Sequence, residues 1–153
     1  MDPFVRRFIR AALAWFVVGM ALGLYLAFAP MQAALLRPAH VHANLLGFVS
    51  MMIFGVAYHV LPRFAGVPLH DRRLPMLHLW VSNLGLAALV VGWTARAAST
   101  LAGEILVGGG GALSAVGGGL FVYNLWRTLD AAGAAARGPL AAPGPRRAPL
   151  PTV

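Results

Sequence analysis

Four apolar blocks, each about as long as a bilayer is thick, constrain this chain more than any other feature. A membrane-crossing helix needs ~20 mainly apolar residues. The sequence has one block at about Ile9–Phe28, a second at about His40–Leu61, a third at about Leu77–Ala95 and a fourth at about Leu101–Leu125. Composition agrees, with 59% hydrophobic and 10% charged residues and a mean hydropathy of +0.76. The fold class expected is all-α, an integral membrane four-helix bundle occupying residues 1–130. Prolines fall between the blocks, Pro30 and Pro38 in the first connection and Pro62, Pro68 and Pro75 in the second, where they read as stops and starts. The first block is long and followed directly by further spans, so it reads as a retained helix rather than a leader.

The net charge of +8 is explained by membrane topology, and no nucleic-acid partner is expected. With four spans, one side carries Arg6, Arg7, Arg10, Arg63, Arg72, Arg73, Arg127, Arg137, Arg146 and Arg147, while the other carries Arg37 and Arg96. The positive-inside rule then places both termini in the cytoplasm. From Ala131 onward, "AAGAAARGPLAAPGPRRAPLPTV" lacks a periodic apolar face. It reads as a Pro/Ala/Gly-rich cytoplasmic tail over residues 131–153, mostly disordered beyond Arg137. Trp80, Trp93 and Trp126 fall near span ends, as interfacial aromatics do. The fourth block carries glycines at 103, 108–111 and 117–119. Small residues let helices approach closely, and the line Gly111, Ala115, Gly119 is the expected contact, within the bundle, between subunits or against a flat cofactor.

The chemistry-bearing stretch is "LRPAHVHANLLGFVSMMIFGVAYHVLPRF". Histidine in or at the edge of a membrane usually has a partner. A lone one is most simply read as a helix-end residue bonded to loop carbonyls or interfacial water. Two at i and i+2 weaken that reading. On an α-helix His40 and His42 point ~200° apart. They cannot grip one ion from an ideal helix but can each serve a planar cofactor, and imidazole is a standard axial ligand of haem iron. The chain has no cysteine, which excludes disulfides, thiolate metal sites and covalent haem attachment through CxxCH.

The same stretch resembles the haem-binding helices of subunit I of the haem-copper oxidases, above all the C-class cytochrome c oxidases and the nitric oxide reductases. The matching residues are His40, Val41, His42, Gly47, Phe48, Gly55, Tyr58, His59, Leu61 and Pro62 for the tenth helix of that subunit. Arg37, Pro38 and His40 also match the RPxH motif of its second helix. In that family the first histidine of HVH ligates the high-spin haem and the second the low-spin haem, whose other ligand is the RPxH histidine. The family subunit has twelve helices in three pseudo-symmetric units of four, so this chain resembles one unit standing alone. The resemblance implies non-covalent haem b, with His40 and His42 as iron ligands. It further implies a homo-oligomer, a trimer preferred and a dimer second, in which His40 of one chain and His42 of its neighbour hold one haem. Arg37, three residues before His40, is the expected partner of the haem propionates, with Arg96 a second choice.

The resemblance is incomplete. The outer loop "RAASTLAGE" has no histidine for the oxidase copper, and Glu104 is the sole glutamate against those a non-haem iron site needs. Reduction of oxygen or nitric oxide by the family mechanism is therefore not expected. His59, His70 and His78 could form a second metal site but read more simply as surface or interface residues. Met51 and Met52 read as packing. The expected role is electron transfer in a bacterial or archaeal inner membrane, with lipid around it and a redox partner or quinol beside it. Binding of nitric oxide or another diatomic gas is the alternative, and a haem-free assembly or interaction subunit of a respiratory complex the second.

Overall fold

The described residues form four helical spans, each long and apolar enough to cross a membrane. The computed structural model describes residues 1–138. α1 covers Pro3–Phe28 and opens on a proline, whose missing N–H would have had no partner there. The second span runs Pro30–Ala65 without interruption. It begins with a 3-10 turn, continues as α2 (Ala33–His42), passes through a π-helical stretch (Ala43–Ser50) and ends as α3 (Met51–Ala65). Gly66, at φ 67°, takes the left-handed conformation that closes it. α4 is Leu74–Ala95 and α5 is Thr100–Arg137. The Ser99 hydroxyl caps α5 by accepting from the Ala102 N–H.

Two sequence expectations need correcting. Pro38 and Pro62 do not end helices; both lie inside them. Each removes one backbone hydrogen bond, but unwinding in hydrocarbon would strand several more, so the helix continues through. The second span thus starts well before His40, which lies about 10 Å along the axis from Ala33 at 1.5 Å per residue. At the other end, α5 continues through residues 131–137, the start of the segment read as a tail. Residues 139–153, the rest of that segment with Arg146 and Arg147, lie outside the described residues.

Lipid tails are as apolar as leucine, so close packing rather than the hydrophobic effect must hold these helices together. One cluster does this with large side chains: Phe4, Val5, Phe8 and Ala12 of α1, Met51 and Tyr58, Leu79 of α4 and Leu125 of α5. The antiparallel α4–α5 seam does it with glycine. A Cβ on Gly110 would lie 2.6 Å from the Gly85 carbonyl oxygen, and one on Gly92 would lie 2.8 Å from the Val107 nitrogen. Gly103, Gly110 and Gly117 are buried along the seam, a seven-residue repeat that keeps one face toward a left-handed partner. The expected line of Gly111 and Gly119 is a different face, where a Cβ would meet nothing within 4 Å.

Polar contacts tie one end of the bundle. Asp2 pairs with Arg72 at 3.0 Å and Arg63 at 3.7 Å. Asn124 and Thr128 of α5, both fully buried, hold the loop before α4. Asp71 N–H donates to Asn124 Oδ1 and Asn124 Nδ2 donates to the Asp71 carbonyl, both at 2.9 Å, while His70 N–H donates to Thr128 Oγ1 at 3.0 Å. The N-terminus, this loop and the C-terminal part of α5 therefore share one face, called the terminal face below.

Candidate functional site

His40 and His42 occupy the last turn of α2 and point to opposite sides of it. His40 faces α1, where its Nδ1–H donates to the Gly19 carbonyl at 2.9 Å. Its ring also lies over Gly23, where a Cβ would come within 2.8 Å of Cε1. Glycine at 23 is thus what lets the imidazole lie against α1. Asn44 Nδ2 donates to the His40 carbonyl at 2.9 Å, and its amide occupies the space a Cβ on Gly19 would need. His42 turns the other way, its Nδ1–H donating to the Pro38 carbonyl at 2.7 Å. A carbonyl oxygen only accepts, so each ring carries a proton on Nδ1, and Nε2 is the nitrogen outside these two contacts. Metal-bound histidines are prepared in this way, the second nitrogen fixing tautomer and ring orientation.

His42 also lines a groove of about 470 Å³ against α4 and α5, bounded by Leu46, Leu89, Trp93, Val107, Gly111, Ser114 and Ala115. The walls are apolar, the α5 side is built of small residues, and the volume is in the range of cofactor sites. Two buried polar atoms on its lining have no hydrogen-bond partner, Trp93 Nε1 and Ser114 Oγ. These features fit a flat, apolar group with a metal that takes an imidazole ligand. His42 is the imidazole that borders this groove, while His40 lies on the other side of the helix, against α1. Arg37 is exposed, less than one turn before His40. Arg96 stacks over the Trp93 ring at 4.8 Å and reaches Glu104 at 3.5 Å. The second-choice propionate partner is thus already engaged.

The remaining histidines do not join this site. Among the described residues no group of three His, Asp or Glu side chains gathers as a metal cluster. His70 packs edge-on against Tyr123. The His59 carbonyl accepts from Arg63 at 2.5 Å. His78 is fully buried in a box of Phe8, Phe54, Tyr58 and Phe121, with ring centroids 4.7–5.9 Å away. Its Nδ1 is 3.2 Å from the Tyr58 hydroxyl. Sequence reasoning singled out the histidines from their spacing but missed Ser114 and the groove role of Trp93. Those two belong to the site only because α4 and α5 pack in one particular register.

No protein-family model matches the chain. It is similar to the cbb3-type cytochrome c oxidase subunit CcoN1 of Stutzerimonas stutzeri, at 28% identity over 61% of this chain and 25% of the relative. It is also similar to cytochrome c oxidase subunit 1 of Rhodobacter capsulatus, at 30% identity over 59% of this chain and 22% of the relative. The chain thus spans about a quarter of the length of these relatives. The likeness supports a relationship to haem-copper oxidase subunit I.

Proposed function

We propose that this chain is a haem-binding electron-transfer protein of a bacterial inner membrane, with both termini in the cytoplasm. It works as a homo-oligomer, most simply a trimer, in which His40 of one chain and His42 of the next ligate one non-covalent haem b. The carrying observation is the matched preparation of two imidazoles on opposite sides of α2, each with Nδ1 bonded to a backbone carbonyl and Nε2 available. Opposed ligands cannot meet on one iron within a chain, whereas a closed ring of chains brings each His40 to a neighbour's His42. A second copy would also cover part of the exposed small-residue face of α5.

Haem iron supplies a one-electron redox centre, and two imidazoles leave it no open position for substrate. The chain's own residues set its surroundings. The Gly19 and Pro38 carbonyls fix the orientation of the two imidazoles, Leu46, Leu89 and Val107 exclude water, and Arg37 supplies charge for propionates at the end away from the terminal face. The relatives named as oxidase subunit I support the haem assignment. A second reading, binding of nitric oxide or a similar gas, is favoured by one feature. The His40 ring lies against α1 over Gly23, and a haem bound by His42 alone would be five-coordinate.

The test is the absorption spectrum of detergent-purified protein from haem-replete cells, with and without carbon monoxide. Sharp reduced bands unmoved by the gas are the expected result, lost in both His40→Ala and His42→Ala. Bands that shift with gas and survive His40→Ala would replace electron transfer with gas binding. No Soret band at all would defeat both.

A further inference from the structure

An open pocket of about 330 Å³ lies at the terminal face, between the start of α1, the end of α3 and the loop before α4. Phe4, Tyr58, Pro68 and Leu69 are among its walls, and its charged groups are Asp2, Arg63 and Arg72. Asp2 holds both arginines, Arg72 at 3.0 Å and Arg63 at 3.7 Å. One carboxylate balances one guanidinium, so the pocket keeps a net positive charge. Both arginine side chains are exposed, Arg63 by 54% and Arg72 by 75%. A guanidinium carries five donors in a fixed fork. Besides Asp2, Arg63 gives one N–H to the His59 carbonyl. These contacts use a minority of the donors on the two forks, and such forks match the oxygens of a phosphate.

The same helix continues from the pocket into an apolar groove. Arg63, Val60, Val56 and Ile53 follow one another at spacings of three and four residues, which places them on one stripe of α3. Val60, Val56 and Ile53, with Met52, line a groove of about 350 Å³. Its lining lacks charged residues, and Ile53 and Val56 are exposed. From Val60 to Ile53 it runs about 10 Å along the helix, away from the terminal face. Phe64, one turn beyond Val60, is 85% exposed at the groove's upper end. A cationic pocket and an apolar groove thus meet at Arg63, in a span long and apolar enough to cross a membrane.

We propose that pocket and groove together are a binding site for one anionic phospholipid of the leaflet at the terminal face. Its phosphate sits between Arg63 and Arg72, and one acyl chain lies along Val60, Val56 and Ile53. Basic pockets at helix ends take anionic headgroups in this way. The net charge selects the lipid class. A zwitterionic headgroup would bring its own ammonium toward two guanidinium groups, whereas an anionic one brings none. The groove selects a lipid over a free anion, because a phosphate ion leaves the apolar stripe unused. The site is independent of the haem reading, since it lies at the other end of the second span from His40 and His42.

Native mass spectrometry of the full-length chain in detergent, titrated with dioleoyl phosphatidylglycerol or dioleoyl phosphatidylcholine, counts the lipids held. The unaltered protein should retain one phosphatidylglycerol per chain about tenfold more tightly than phosphatidylcholine, the size of one charge-assisted hydrogen bond. Equal retention would overturn the site, and this comparison needs no variant. Arg63→Gln with Arg72→Gln should abolish the preference. Arg6→Gln with Arg10→Gln removes the same charge from exposed positions of α1 outside the pocket and should keep it. Loss in both pairs would reduce the effect to general surface charge and overturn the site. Val56→Trp fills the groove from an exposed position and should weaken phosphatidylglycerol retention, with helix content by circular dichroism unchanged. Inorganic phosphate that displaces the lipid at equal concentration, together with indifference to Val56→Trp, would make the pocket a free-anion site and overturn the lipid.

Discussion

The half of the bundle near the terminal face and the half around His40 and His42 are built on opposite plans. The first is filled by large rings: Phe4, Phe8, Phe54, Tyr58, His78 and Phe121 interlock at centroid distances of 4.4–6.4 Å. Its polar ends are closed by Asn124, Thr128 and the ion pairs of Asp2. The second half is lined by small residues. Ala39, Ala43, Gly19 and Gly47 are buried there, and the space beside His42 is an open groove. Close packing fills the first half, while the second is bounded by the groove beside His42. The contrast separates a part that specifies the fold from the part to which the proposed function assigns the haem.

Substitutions in the α4–α5 seam should break the comparison most. Gly110→Ala forces a Cβ to 2.6 Å from backbone atoms of Gly85 and Leu89, an overpacking that costs about 1–3 kcal/mol. Gly109→Ala meets nothing within 4 Å and should stabilise by up to about 1 kcal/mol through helix propensity. Thermal unfolding in detergent checks both signs, and equal effects would mean that the seam is not where the helices meet. Arg37→Leu should have the smallest effect. Stability stays unchanged because the side chain is exposed, but haem retention falls or its potential shifts. A potentiometric titration indistinguishable from the unaltered protein would remove Arg37 from the site.

Much of the helical architecture was legible in the sequence because hydrocarbon imposes so few solutions. Four apolar blocks of sufficient length give four spans. What the sequence misled on follows from the same physics. Pro38 and Pro62 look like breakers in water, yet the cost of unsatisfied backbone in lipid carries the helix through them. The opposite orientations of His40 and His42 were legible from their two-residue spacing, since α2 is regular up to His42. The hydrogen bonds to Gly19 and Pro38 were not equally legible. An i−4 carbonyl such as that of Pro38 is a local partner, but Gly19 reaches His40 only through packing of α1. The glycines show the same limit. Their number announced close contact, but which face of α5 made it depended on the register against α4, which composition does not encode.

The central claim, a haem shared between chains, is tested most directly by mixing two defective ones. His40→Ala keeps His42, and His42→Ala keeps His40, so each variant purified alone should lack the bis-imidazole spectrum. Co-expressed under two tags and isolated through both, mixed oligomers contain an interface with one intact histidine from each chain. The account predicts that the sharp low-spin bands return in this doubly selected fraction. Mixed oligomers that remain without those bands, or a single unaltered chain that carries the full spectrum as a monomer, would contradict it.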